Sequence, residues 1–167
     1  MNNIERLFST VIDHSESKIW ESAILEWEVV DYKERPHSQC ICGHSNIKYC
    51  YTIFNNVTGI YLYPIGSVCI KKFGNENLDY QMDLMLRINK LKKEFEVFVD
   101  YEKIKDILNQ NLIDFFKEKK VFENDEEYEF ISRVLSSKKK EPSIGQEKWL
   151  KGILFYKIKP FLMNYGN

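Results

Sequence analysis

The sequence is short of several things that common enzyme classes need. It holds seven glycines, none of them grouped into a phosphate-cradling loop, which removes the P-loop and dinucleotide-binding readings. Only His14 of its three histidines lies outside one short stretch of chain, so acid–base chemistry built on histidine has little to draw on. No apolar run approaches the roughly 18 residues that span a bilayer, and Met1-Asn2-Asn3-Ile4-Glu5-Arg6 has no basic segment leading into an apolar one. A soluble, cytoplasmic protein with no membrane partner is expected. Cysteine is absent from most of the chain: Cys40, Cys42, Cys50 and Cys69 crowd into thirty residues, and the other 137 contain none. In a reducing compartment such clustering points to metal rather than to disulfides.

What is present suits a folded core. Hydrophobic residues make up 44% of the 167, with 3 Trp, 10 Tyr and 11 Phe, which excludes a disordered chain. The length suits one cooperative unit. The net charge of -1 hides an uneven distribution, because Glu94 to Phe130 carries 12 acidic against 5 basic residues. Basic residues return in patches at Lys71 and Lys72, Lys90 to Lys93, Lys138 to Lys140, and in the final helix at Lys148, Lys151, Lys157 and Lys159.

Three segments follow from the patterning. Residues 1–36 read as one or two short helices, the second capped by Ser15 or Ser17, followed by a strand from Trp27 that leads to Pro36 and ends at the next segment. Residues 37–73 read as a knuckle, a hairpin and a short helix. The strands Ile47 to Phe54 and Ile60 to Tyr63 flank Asn55-Asn56-Val57-Thr58-Gly59, whose Asn and Gly tolerate positive φ, and Ser67 is placed to cap the helix through Phe73. Residues 74–167 read as helices. Leu78, Met82, Met85, Ile88, Leu91 and Phe95 repeat at helical spacing, as do Ile104, Leu108, Leu112 and Phe115. A third helix starts near Asp125, and the last carries Trp149, Leu150, Ile153, Leu154, Tyr156 and Ile158, with Pro160 expected to kink or end it. The fold class is α+β, mostly α: a small zinc-knuckle, hairpin and helix module packed with several helices.

A tetrahedral zinc site needs four ligands at about 2.0 to 2.3 Å, and a tight Cys-rich turn supplies two of them because its backbone amides point at the thiolates. Cys40-Ile41-Cys42-Gly43 reads as such a turn. Cys69, at the start of a short helix, reads as a third ligand. The fourth is open: Cys50 completes a four-cysteine pattern, His44 lies next to the knuckle, and His37 precedes Cys40 by three. With no base positioned for catalysis, the expected Zn2+ is structural and the chain is not an enzyme. Glu123, Asp125, Glu126, Glu127 and Glu129 lack the spacing of a calcium loop and suit a helix start.

Cys40-Ile41-Cys42-Gly43-His44, Ile47-Lys48, Asn55 and Pro64-Ile65-Gly66-Ser67-Val68-Cys69-Ile70-Lys71-Lys72-Phe73 together resemble a zinc-finger module of small phage and mobile-element proteins. Gln146-Glu147-Lys148-Trp149-Leu150 with Ile153 resembles part of the helical tail that accompanies it. The strand carrying Cys50 is shifted relative to the usual form. The resemblance implies a non-enzymatic protein-binding role, such as an anti-CRISPR inhibitor that binds a Cas9-type nuclease in a bacterial host and blocks DNA handling. In that role Glu123, Asp125, Glu126, Glu127 and Glu129 would meet basic residues of the partner, and no small-molecule substrate is implied. The alternative is a nucleic-acid-binding accessory protein of phage replication or repair, using Lys71, Lys72 and the aromatics Tyr49, Tyr51, Tyr61 and Tyr63.

Overall fold

Helix formation begins where the chain first offers a cap. In the computed structural model, which describes residues 1–97, 101–137 and 142–166, Asn2 accepts from the amides of Ile4 and Glu5 while the Glu5 carboxylate accepts from the Asn2 amide. This reciprocal capping starts α1 (Asn3–Asp13), which buries Leu7 and Val11. The second helix is only one turn, α2 (Trp20–Ala23), continuing into a 3-10 turn at Ile24–Glu26. Ser15 does not cap it. Its hydroxyl is buried, donating to Val11 O at 2.7 Å and accepting from Trp27 Nε1 at 2.8 Å, because the Trp27 indole, 2% exposed, needs a partner inside the core.

Three antiparallel strands follow in the order β1-β2-β3: β1 (Trp27–Ser38), β2 (Ile47–Asn55) and β3 (Tyr61–Gly66). β1 runs through Pro36 and ends at Ser38, at the start of the knuckle segment. It is an edge strand, and its pairing with β2 is irregular between Glu34 and Ser38, so the missing proline N–H removes no ladder bond that the sheet needs. The hairpin turn also closes differently from the positive-φ expectation for its asparagines. Gly59 takes φ +74, but Asn55 acts through its side chain, its Oδ1 accepting from the amides of Val57 and Thr58 at 2.8 Å each. After β3 comes α3 (Ser67–Lys71), in which Gly66 holds the capping position and Ser67 is the first helical residue.

The chain divides into two compact units, Met1–Leu86 and Arg87–Asn167, so the segments expected at 1–36 and 37–73 share one unit. Its core joins Trp27, Val29, Tyr32, Tyr51, Ile53, Leu62 and Ile65 of the sheet to Leu7 and Val11 of α1, to Ile70 and Phe73, and to Leu78 and Met82 at the start of α4 (Glu76–Val97). Cys40 and Cys42 belong to this same cluster, which fixes one side of the site described below.

The second unit is helical: the end of α4, α5 (Tyr101–Ile107), α6 (Gln110–Glu118), α7 (Asp125–Ser136), α8 (Ile144–Ile153), a π-helical turn (Leu154–Ile158) and α9 (Lys159–Asn164). The single helix expected over Ile104 to Phe115 is broken, because the Asn109 side chain accepts from Leu112 N at 2.9 Å and starts a new helix. Pro160 does not end the last helix. With no proline N–H to offer, the chain widens by one residue, and Lys159 N donates to Leu154 O in the π register before α9 continues. The tail residues hold structural roles: Gln146 closes a capping box with Ser143, and Trp149 stacks on Phe130 at 4.0 Å. The basic patch at Lys138 to Lys140 lies outside the described residues. The fold is α+β and mostly α, and among the described residues no helix is long and apolar enough to cross a membrane.

Candidate metal centre

The knuckle is built by backbone hydrogen bonds. Cys40 N donates to His44 O at 2.8 Å and Gly43 N to Cys40 O at 2.7 Å, closing residues 40–44 into a tight loop, while Ile41 N donates to Pro64 O at 2.9 Å and ties that loop to β3. Gly43 takes φ +90, a conformation that a Cβ disfavours, and the Arg6 guanidinium packs against the space where that Cβ would stand. The loop thereby brings Cys40 and Cys42 up to Cys69, in α3.

The three sulfurs lie within 4.8 Å of one another and form a group that can hold a metal ion. Cys40 Sγ and Cys69 Sγ are 3.6 Å apart. A disulfide would need about 2.05 Å, whereas two bonds of about 2.3 Å from one tetrahedral ion place their sulfurs roughly 3.8 Å apart. The donors around the sulfurs fit thiolates: Gly66 N points at Cys40 Sγ at 3.3 Å and His44 N at Cys42 Sγ at 3.4 Å. The hydrogen bond from the Cys69 thiol is the main influence pulling the Cys40 thiol down, to about 5, and the Cys42 and Gly66 amides add to it against the opposing effect of burial. Cys69 is shifted up by the same shared proton.

The fourth-ligand candidates separate. Cys50, which completes the four-cysteine pattern in the sequence, is not in the group. It is fully buried, and its nearest polar partners are the carbonyls of Arg35 and Lys48 at 3.8 and 3.9 Å. Neighbouring strand residues point to opposite faces, so with Tyr51 in the core Cys50 is turned to the other side of β2. His37 sits at the end of β1 with φ +63 and faces Asn46. His44 lies on the wall of the same cavity as the three cysteines, one residue beyond Gly43. That cavity has a volume of about 470 Å³.

The five acidic residues Glu123, Asp125, Glu126, Glu127 and Glu129 lie before and within the start of α7. Glu123 pairs with Lys157, and Asp125 with Lys117 at 3.1 Å. Glu127 is 9% exposed and accepts from Glu123 N at 2.8 Å, and burial pushes its carboxyl up. Glu126 and Glu129 remain exposed. Of the five acidic residues, three are engaged within the chain.

One polar cluster escaped the sequence reading. Glu26, 9% exposed, accepts from the amides of Glu16 and Ser17 and from Asn55 Nδ2, all at 2.8 Å. Thr58 Oγ1 adds a bond to His14 O at 3.0 Å. The signal for Asn55 was visible as a turn residue, but its partner lies 29 positions away, where no local pattern reaches. No protein-family model, curated protein or solved structure matches the chain.

Proposed function

We propose that the chain is a non-enzymatic zinc-binding protein whose metal-ordered module, residues 37–73, binds single-stranded nucleic acid. Cys40, Cys42 and Cys69 hold the ion, and His44 completes the set by turning its ring inward from the cavity wall. Zinc suits these ligands because thiolate and imidazole are its preferred donors and it imposes a tetrahedral arrangement. Among the described residues no carboxylate lies on the cavity wall to act as a base, which supports a structural ion.

The observation that carries the nucleic-acid reading is the charge of the module. The chain has 25 acidic residues, yet between His37 and Phe73 there is not one, while Lys48, Lys71 and Lys72 all fall there. Tyr49, Tyr61 and Tyr63 of the same module are 44, 64 and 38% exposed. Cations interleaved with exposed aromatics suit a strand of unpaired bases, which need charge for phosphates and rings for stacking. Tyr51 takes no part, since it is buried in the core.

The test is fluorescence anisotropy of a labelled oligothymidylate with zinc-loaded protein across a salt series. Three phosphate contacts give a slope of about -2 in log affinity against log salt, and Lys71→Ala with Lys72→Ala should remove most of it. Absence of zinc from the purified protein, or salt-independent binding, would overturn the reading. An inhibitor docking on a Cas9-type nuclease through α7 takes second place, because Glu123, Asp125 and Glu127 are already engaged within the chain. Co-elution with such a nuclease, without oligonucleotide binding, would reverse that order.

A further inference from the structure

The cavity beside the cysteines is far larger than an ion needs. A metal bound about 2.3 Å from three sulfurs occupies only the cysteine end of a space of about 470 Å³, a volume within the roughly 300–1,000 Å³ range of small-molecule sites. The rest of the wall is mainly apolar, formed by Leu7 of α1, Ile47 of β2 and Val68 of α3, with Tyr49 beside them. Tyr32 backs the Tyr49 ring, with centroids 6.2 Å apart and planes 26° from parallel. Among the described residues Lys48 and Lys72 line the same space, and no carboxylate does. Lys48 Nζ stands 5.2 Å from the Tyr49 ring centroid and 3.8 Å from Glu34. Lys72 has no ion-pair partner among the described residues.

We infer that this cavity is a nucleotide pocket, in which one unstacked base of the bound strand rests on Tyr49 between apolar walls while its phosphates meet Lys48 and Lys72. The inference rests on the nucleic-acid reading above and adds where a base sits. Its chemistry follows from the wall: a flat apolar ligand with an adjoining anion fits an aromatic ring and aliphatic side chains flanked by ammonium groups. A concave space of this size suits a base splayed out of a single strand, since a duplex keeps its bases stacked inside. The ion and the pocket share the knuckle, so metal binding shapes the wall that the base would touch.

The experiment compares a labelled oligothymidylate with an abasic strand of the same length and charge, using the full zinc-loaded chain. The abasic strand should bind at least about fivefold more weakly, the low end of what stacking one base on an aromatic ring contributes. Tyr49→Leu should lower the affinity for oligothymidylate toward that of the abasic strand and leave zinc content and abasic-strand binding unchanged. In a strand carrying 5-iododeoxyuridine, photocrosslinking should place the adduct on Tyr49. Equal binding of the two strands, or adducts confined to Tyr61 and Tyr63, would overturn the pocket while leaving strand binding intact. Failure of both strands to bind would overturn the nucleic-acid reading and the pocket with it.

Discussion

Asn55 Nδ2 donates to Glu26 Oε2 at 2.8 Å, joining the turn between β2 and β3 to the segment that enters β1. Burial alone would raise the Glu26 carboxyl, but the bonds from Asn55 and from the Ser17 and Glu16 amides, with the charge of Lys18, outweigh it and hold the group below its ordinary value. A carboxylate whose folded pKa is depressed stabilises the fold fully above its unfolded value, about 4.5, and that stabilisation is lost as pH falls through the folded value. Glu26→Gln is isosteric but cannot accept at both ends. Near neutral pH it should cost about 2 kcal/mol, in line with hydrogen bonds to a charged acceptor, and the gap to wild type should narrow in urea melts taken well below pH 4.5. A gap that stays constant across that range would show that the charge of Glu26 contributes nothing.

The cysteines should divide three to one. Cys40→Ser, Cys42→Ser and Cys69→Ser each remove a sulfur from the group and should abolish stoichiometric zinc binding, measured by elemental analysis of the purified protein. Cys50→Ala should keep the metal, because its sulfur faces carbonyl groups on the other side of β2, and it should cost about 1 kcal/mol from lost packing. His44→Ala should weaken zinc retention during chelator competition, while His37→Ala should not. Loss of zinc in Cys50→Ala would return that residue to the ligand set.

How far the sequence was legible follows from the range of each interaction. The long helix α4 could be read because Leu78, Met82, Ile88, Leu91 and Phe95 repeat along a single face, and all five are buried. The break at Asn109 could not be read from periodicity, since Ile104, Leu108, Leu112 and Phe115 keep helical spacing across it and are buried on both sides. Cys40, Cys42 and Cys69 were legible because the knuckle is local and the Gly66 to Cys69 segment has its own signature. Cys50 misled because sequence spacing does not say to which face of a strand a side chain turns, and its neighbour Tyr51 had already taken the core side. The Glu26–Asn55 pair depends on register between distant segments, which no local pattern encodes.

Gly43 sets the shape of the knuckle. At φ +90 a residue with a Cβ is strained by about 1–2 kcal/mol, and that Cβ would come 2.6 Å from Arg6 Nη1. The arginine end is flexible and can move away, so the backbone strain is the part that persists. Gly43→Ala should therefore weaken zinc binding about tenfold, since the metal is then bound by a loop that favours another conformation. Chelator competition measures it directly, and Arg6→Ala in the Gly43→Ala background should restore little. Full recovery in the double variant would mean that the clash, and not the φ angle, sets the cost.

Removing the metal should act on one unit and spare the other. The three cysteines that could hold an ion all belong to Met1–Leu86, and Cys40 and Cys42 are part of that unit's hydrophobic core. Without an ion, three sulfurs within 4.8 Å of one another lose the bonds that offset the strain at Gly43, and the loop is held mainly by its backbone bonds to Pro64 and within residues 40–44. Because metal binding free energy is coupled to folding, chelation should raise hydrogen exchange first at the amides of Ile41, Gly43, His44 and Gly66, and then across β2 and β3. The amides of α6 and α7 hydrogen-bond within their helices, in a unit with its own buried residues, among them Leu112, Ile113, Phe116 and Ile131, and should keep their protection. Uniform loss of protection in both units on chelation would show instead that the chain folds as a single cooperative body around the ion.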